Sequence, residues 1–264
     1  DWIQYKEDGE ISKQVSLKVM KKLSDFSSSE NNIMLLMNEI KERSDYLTKR
    51  SHWIVGGDGW AYDIGYSGLD HVMSTGEDIN VLVFDTEIYS NTGGQASKST
   101  PTAAIAKFAS SGKRSGKKDL GRMMMTYGNV YVAQVGINAD NNQLIKAIRE
   151  AENYKGPSLV IAYAPCISHG IREGMGRSMA TIKKAVNAGY WHLYRYNPDL
   201  KKENKNPFIL DSKEPKESFR EFIMGQVRYS SLAKLFPEEA EELFVKAEEN
   251  AKERYEIYKT LANL

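Results

Sequence analysis

The stretch GGDGWAYDIG, residues 56–65, follows directly on an apolar run at residues 53–55. A glycine-rich turn between a strand and a helix presents free backbone N–H groups at the positive end of the helix dipole, which suits phosphate. The stretch is not a dinucleotide fingerprint, because Tyr62 stands where G-x-G-x-x-G needs its third glycine. Asp58 places a carboxylate beside any bound phosphate, and this predicts a divalent cation between the carboxylate and a diphosphate.

Apolar runs and helical patterns alternate on both sides of this stretch. We predict buried strands at 52–57, 79–84, 130–135 and 158–164, and helices at 62–75, 101–110 and 141–152. Two further helices are predicted within residues 11–46, and a charged, solvent-facing helix near the end of the chain. Strands that are largely apolar and alternate with helices are typical of a parallel sheet covered on both faces.

The predicted fold class is therefore α/β, with a mostly parallel sheet, helices on both faces, and helical additions at both ends. We divide the chain into a helical lead-in at 1–50, which we expect to continue from a larger upstream chain, an α/β ligand-binding domain at 51–200, and a polar linker with a helical tail at 201–264.

Composition excludes several classes of protein. The chain has 36 Lys and Arg against 35 Asp and Glu, a net charge of +1, which argues against a nucleic-acid binder. The longest apolar stretch, 159–164, is far too short to span a membrane. Cys166 is the only cysteine, so there is no internal disulfide, and we expect a reducing, cytoplasmic location.

Two more predicted strands end in unusual sequences. DTEIYSNTGGQ, residues 85–95, follows the second strand, and PCISHG, residues 165–170, follows the fourth. Open parallel sheets bind ligands at the carboxyl ends of their strands, so these loops and the first stretch should share one edge. Thr86 has a hydroxyl oxygen and lies among backbone carbonyls, so it is a candidate for a further oxygen ligand of the cation.

The strings GDGWAYDIG, DTEIYSNTGGQ and YAPC together resemble the C-terminal thiamine diphosphate-binding domain of the pyruvate:ferredoxin (flavodoxin) oxidoreductases, and the likeness runs from about residue 53 to 211. It implies a thiamine diphosphate-binding fold and Mg²⁺ held by the Asp58 carboxylate, the Thr86 hydroxyl and the Ile88 carbonyl. Many thiamine enzymes have Asn at the position of Thr86, but the threonine keeps an oxygen donor. The cofactor-binding residues that the resemblance implies are Gly57, Asp58, Gly59, Trp60, Thr86, Glu87, Ile88, Tyr89, Ser90 and Asn91.

The resemblance also implies roles for Asn91 and Cys166. The Asn91 amide would be catalytic, through a hydrogen bond to the oxyanion that develops on the substrate. Cys166 would be the fourth ligand of a [4Fe–4S] cluster, whose other three cysteines would lie in upstream chain. The family's activating glutamate lies in a different domain, so Glu87 is not assigned that role, and the 264 residues alone are expected to be inactive.

The implied activity is oxidative decarboxylation of pyruvate with coenzyme A to acetyl-CoA and CO₂, with electrons passed to ferredoxin or flavodoxin. The implied protein partners are those carriers, the remaining domains of the same enzyme and a second copy in a homodimer. Two alternatives stay open. One is another thiamine-dependent 2-oxoacid oxidoreductase subunit, such as a 2-oxoglutarate type. The other is a non-catalytic Mg-nucleotide binding module.

Some features also have plain structural explanations. Gly57-Asp58-Gly59 alone can be a tight turn with a capping Asp, and Cys166 alone can be a small buried hydrophobe. The basic loop around Lys113 and Lys117 could attract coenzyme A phosphates or an acidic carrier protein, but a solvated loop is the simpler expectation.

Overall fold

Backbone contacts in the computed structural model, which describes residues 1–264, divide the chain into two units, Asp1–His52 and Trp53–Leu264. The first unit consists of α1 (Trp2–Tyr5), α2 (Gly9–Asp25), α3 (Asn31–Glu42) and a 3₁₀ turn at Ser44–Leu47. The Asp8 side chain caps α2 by accepting a hydrogen bond from the Ile11 amide at 2.8 Å. The two helices expected within residues 11–46 are present as α2 and α3.

The second unit is built on one six-stranded sheet. Its strands are β1 (Trp53–Gly57), β2 (Asn80–Asp85), β3 (Tyr131–Val135), β4 (Ser158–Tyr163), β5 (Tyr194–Tyr196) and β6 (Phe208–Leu210). The spatial order is β1-β2-β4-β3-β5-β6, with the first four strands parallel and the last two antiparallel. The mostly parallel α/β fold is therefore confirmed. Strands β5 and β6 were not expected, because three residues are too few to show a strand periodicity.

Helices cover both faces of this sheet. They are α4 (Tyr66–Ser74), α5 (Leu120–Met125), α6 (Asn141–Asn153), α7 (Ser178–Asn187), α8 (Phe219–Met224), α9 (Val227–Leu235) and α10 (Pro237–Ala262). Successive side chains of β4 point into two different apolar clusters, Leu159 and Ile161 into one and Val160 and Ala162 into the other. A strand buried on both faces has no polar positions, which explains its continuous apolar sequence. None of the helices is long and apolar enough to cross a membrane.

The segment 101–110 is not the helix that its small residues predicted. Ala103 and Phe108 have positive φ angles, and the Ala103 and Ile105 amides donate to the carbonyls of Lys113 and Arg228. Some backbone hydrogen bonds of the segment therefore go to residues outside it, which a regular helix would not allow. Small side chains such as Ala104, which is completely buried, allow this close approach.

Two further expectations are corrected. The charged helix near the end of the chain, α10, is not simply solvent-facing, because one side of it buries Leu243, Phe244 and Tyr258 in the larger apolar cluster. Most of its charges occupy the other side, as in an amphipathic helix. The first strand is not fully buried either: β1 is an edge strand, and Val55 is 58% exposed.

Candidate cofactor and metal site

The three loops singled out in the sequence lie at the same edge of the sheet. In the parallel ladders, Gly57 of β1 pairs with Phe84 of β2, and Asp85 of β2 pairs with Tyr163 of β4. The residues that follow these strand ends therefore leave the sheet side by side. The expectation of a shared edge is met, and it places Asp58 next to the loop that begins at Thr86.

Three oxygen atoms from two of these loops meet at one point. The Thr86 hydroxyl oxygen lies 2.7 Å from Asp58 Oδ1 and 2.9 Å from the backbone carbonyl oxygen of Ile88. The Thr86 amide also donates to Asp58 Oδ1, at 3.1 Å. A hydroxyl has a single proton, so it can donate to only one of its two neighbours at a time. These three oxygens, called the oxygen cluster below, therefore have more lone pairs than protons to share between them.

This geometry fits a hard divalent cation. Mg²⁺ binds oxygens octahedrally at 2.0–2.1 Å, so adjacent ligand oxygens should be about 2.9 Å apart, close to the two distances from the Thr86 hydroxyl. No group of three His, Cys, Asp or Glu side chains is placed to hold a metal ion. Mg²⁺ typically combines few protein oxygens with phosphate oxygens and water. The set of Asp58, Thr86 and Ile88 is of this incomplete kind.

Asp58 is a buried carboxylate without a cation in contact. Its side chain is 1% exposed, and its second oxygen, Oδ2, accepts a hydrogen bond from the Ser97 hydroxyl at 2.6 Å. Burial, reinforced by the negative charge of Asp85, raises the pKa of Asp58 to about 6. A positive charge at the oxygen cluster would offset this cost of burying the ionised carboxylate.

A cavity of about 390 Å³ opens beside the oxygen cluster. Its lining includes all but one of the cofactor-binding residues expected from the sequence: Gly57, Asp58, Gly59, Trp60, Thr86, Ile88, Tyr89, Ser90 and Asn91. Phe84 and Thr92 complete the lining and had not been singled out. Phe84 is the residue before Asp85 in β2, and an aromatic at the end of the predicted strand, directly before the loop, is a signal that sequence reading could have used.

The turn after Asp58 is wound more loosely than an α-helix. Residues Gly59–Ile64 form a π-helical turn, closed by a hydrogen bond from the Gly65 amide to the Trp60 carbonyl at 2.8 Å. A Cβ atom at Gly59 would lie 2.6 Å from the ring of Tyr89, too close for any other residue without movement of that ring. Gly59 thus lets the first loop approach the second.

Glu87 is the one expected cofactor-binding residue that does not line the cavity. Its φ angle of +57° turns its side chain away from those of Thr86 and Ile88, a conformation that costs a non-glycine residue about 1–2 kcal/mol. The carboxylate is 1% exposed and contacts the Lys117 ammonium at 3.0 Å and the Arg228 guanidinium at 2.7 Å. Burial opposes ionisation, but these two cations hold the pKa of Glu87 well below its usual range.

Lys117 shows that the basic loop is not a solvated patch. Its side chain is 6% exposed, and its ammonium bridges Asp85, at 2.8 Å, and Glu87. Lys113 also turns inward, towards the Ser97 and Thr100 carbonyls, and burial together with the charge of Lys117 lowers its pKa to about 8. Only tertiary structure pairs these lysines with carboxylates and carbonyls, so the sequence pattern indicated solvent exposure instead.

Cys166 lies three residues after the end of β4, is partly exposed, and forms no disulfide. Its backbone amide donates to Nδ1 of His169 at 3.0 Å, so His169 is a buried residue that fixes the cysteine loop. Burial and the nearby Arg228 lower the pKa of His169 to about 4. A Cβ at Gly94 would lie 3.7 Å from the Ser168 hydroxyl and 3.8 Å from Ile88, so the cysteine loop runs alongside the 86–95 loop.

Comparison with known proteins shows what this chain is similar to. Residues 43–162 match the family described as thiamine pyrophosphate enzyme, C-terminal TPP binding domain. The chain is 55% identical, over 99% of its length, to a pyruvate-flavodoxin oxidoreductase of Klebsiella pneumoniae. It is 57% identical, again over 99% of its length, to a pyruvate:ferredoxin oxidoreductase of Moorella thermoacetica. The resemblance to the pyruvate:ferredoxin (flavodoxin) oxidoreductases is confirmed.

The chain spans about 22% of the length of these oxidoreductases. A solved 2-oxoglutarate:ferredoxin oxidoreductase from Magnetococcus marinus is 26% identical and aligns with a TM-score of 0.40 over 43% of this chain and 40% of that chain. The shared segment with the pyruvate oxidoreductases contains all the residues of the oxygen cluster and the cavity.

Proposed function

We propose that this chain binds thiamine diphosphate through Mg²⁺ and forms part of an enzyme that oxidatively decarboxylates pyruvate. With coenzyme A the products would be acetyl-CoA and CO₂, and the electrons would pass to ferredoxin or flavodoxin. One observation carries the proposal. At one side of the cavity, the Thr86 hydroxyl oxygen lies 2.7 Å from Asp58 Oδ1 and 2.9 Å from the Ile88 carbonyl oxygen.

Each part of the cavity has a role in this proposal. Asp58, Thr86 and Ile88 would hold Mg²⁺, and the backbone of Gly57 and Gly59 would lie along the diphosphate. Thiamine diphosphate supplies the electron sink for decarboxylation, while the protein binds and orients it. Asn91 is exposed where the 86–95 loop borders the cavity, and its amide would donate a hydrogen bond to an oxygen that gains negative charge.

Cys166 would provide one of the four thiolates of a [4Fe–4S] cluster, the other three coming from elsewhere in the enzyme. Support comes from its partial exposure and from the contact between its loop and the 86–95 loop, which would keep electron transfer from the cofactor short. The proposal includes the other domains of the enzyme, a homodimer and a cytoplasmic location.

Calorimetry on the complete enzyme tests the proposal. Thiamine diphosphate, added together with Mg²⁺, should bind the wild type. Asp58→Asn should weaken binding by about 100-fold or more, because the only charged ligand that the protein gives the cation is lost. Asp70→Asn is the matched control: Asp70 lies on α4, outside the cavity, and accepts from Tyr127. Binding by Asp58→Asn at wild-type affinity, or a preference for ATP over thiamine diphosphate, would contradict the proposal.

A further inference from the structure

Asp58 would present one oxygen to a metal ion at the lowest cost if its carboxylate is already held in one orientation. Oδ1 lies in the oxygen cluster, so the orientation depends on what holds Oδ2. The only side chain that hydrogen-bonds Oδ2 is Ser97, whose hydroxyl lies at 2.6 Å. Ser97 is 4% exposed and lies outside the cavity lining. It therefore acts from behind the carboxylate, on the side away from the ligand.

The direction of this hydrogen bond is set by the turn that contains Ser97. The Ser99 amide donates to the Ser97 hydroxyl oxygen at 3.0 Å, which occupies a lone pair and leaves the hydroxyl proton for Asp58. A carboxylate accepts hydrogen bonds only, so the serine must be the donor. A buried, charge-assisted hydrogen bond of this kind is stronger than one between neutral groups.

The same turn also holds the second metal-binding loop. The Thr100 hydroxyl accepts from the Ser97 amide at 2.9 Å and donates to the Glu87 carbonyl at 2.6 Å. Glu87 lies between Thr86 and Ile88, so this bond fixes the backbone that provides the other two oxygens. The turn is closed by a hydrogen bond from the Thr100 amide to the Ser97 carbonyl at 3.1 Å. One turn thus connects both strand ends of the oxygen cluster.

We propose that Ser97 is the positioning residue of the metal site: it fixes the Asp58 carboxylate so that Oδ1 faces the cation, and it joins Asp58 to the 86–88 backbone through Thr100. This inference rests on the proposed binding of Mg²⁺ and thiamine diphosphate. Residues that orient metal ligands typically account for 10–100-fold in metal affinity, although they do not touch the metal.

Titration of the complete enzyme with Mn²⁺ in the presence of thiamine diphosphate tests this role, with free Mn²⁺ followed by electron paramagnetic resonance. Ser97→Ala should raise the Kd of Mn²⁺ by about 10-fold to 100-fold. Ser97→Thr keeps the hydroxyl and should restore binding towards the wild-type value. Ser97→Cys keeps the size but donates weakly, and it should also weaken binding, so it serves if the alanine variant does not fold.

Ser158→Ala is the matched control. Ser158 is also fully buried, and its hydroxyl donates to the Ala151 carbonyl at 3.1 Å. It lies at the start of β4, however, at the opposite end of the strands from the site. Wild-type Mn²⁺ affinity in Ser97→Ala, or an equal loss in Ser158→Ala, would overturn the role of Ser97. Absence of Mn²⁺ and thiamine diphosphate binding by the wild type would instead reject the proposed function, and this inference with it.

Discussion

Asp58 and Glu87 are both buried carboxylates, but their surroundings give them different properties. Glu87 contacts two cations, Lys117 and Arg228, which keep it ionised. Asp58 has only hydroxyl and amide donors as direct partners, and its pKa is raised to about 6. A buried charge without a counter-ion is unfavourable, whereas a paired one is tolerated. Glu87 is thus electrostatically satisfied by the protein, whereas Asp58 has no such counter-ion within the chain, as the proposed metal site requires.

At the residue scale, His192 allows the effect of burial on a pKa, and through it on stability, to be tested. It is 1% exposed, its Nε2 lies 3.3 Å from the Ala251 carbonyl, and burial lowers its pKa to about 3. The unfolded chain, with a pKa of 6.5, binds the proton more readily. The stability that neutral His192 contributes is therefore complete above pH 6.5 and is lost as pH falls towards 3. We expect a loss of about 2 kcal/mol between pH 6.5 and 5 from this residue.

Urea unfolding at about pH 7.5 and about pH 5 measures this effect. His192→Phe keeps the ring contacts with Tyr255 and Tyr258 but cannot be protonated, so its free energy of unfolding should fall less on acidification. His71→Phe, at an exposed position, controls for loss of a histidine. Equal acid sensitivity in the wild type and His192→Phe would show that His192 is not the responsible group.

At the scale of elements, α10 shows that a high content of charged residues does not exclude burial of one side of a helix. The helix begins at Pro237 and is rich in glutamate and lysine, so its sequence favours a solvated helix. Its alanines, tyrosines and the pair Leu243-Phe244 nevertheless form a buried stripe against the sheet unit. A few apolar residues at helical spacing are enough to dock a long helix, even when charged residues outnumber them.

We expect Leu243→Ala to lower the free energy of unfolding by about 2–5 kcal/mol, because it removes a side chain that is 4% exposed and leaves a cavity. Leu235→Ala is the matched control, since Leu235 at the end of α9 is 66% exposed, and it should change stability by less than about 0.5 kcal/mol. Chemical denaturation of both variants provides the measurement. Equal effects would mean that α10 is not docked as the structure shows.

At the scale of the whole molecule, the chain consists of two units with a boundary between His52 and Trp53. Residues 49–52 have no regular secondary structure, and Arg50, Ser51 and His52 are exposed. The helical tail belongs to the same unit as the sheet, because α10 contributes to its core. The division of the chain at 1–50, 51–200 and 201–264 remains a prediction.

Limited trypsin digestion tests this boundary. Exposed, irregular segments are preferred sites of cleavage, so trypsin should cut first after Arg50 and leave a resistant fragment that begins at Ser51. Arg50→Gln should slow this first cut without changing the resistance of the rest. Mass spectrometry identifies the fragments, and a first cleavage within residues 53–264 would contradict the two-unit description.

The sequence by itself determined the parallel strands and the loops at their ends, and it predicted Asp58 and Thr86 as oxygen donors at one edge, since these depend on local patterns along the chain and on the rule that parallel strands end together. The carbonyl of Ile88 was implied only by the family resemblance. Tertiary structure alone decided the contact of Ser97 with Asp58, the inward direction of Glu87, the burial of Lys117 and the docking of α10. These features depend on contacts between residues far apart in the chain, such as Asp58 with Ser97 and Glu87 with Arg228. No local periodicity encodes which partner a buried polar group will find.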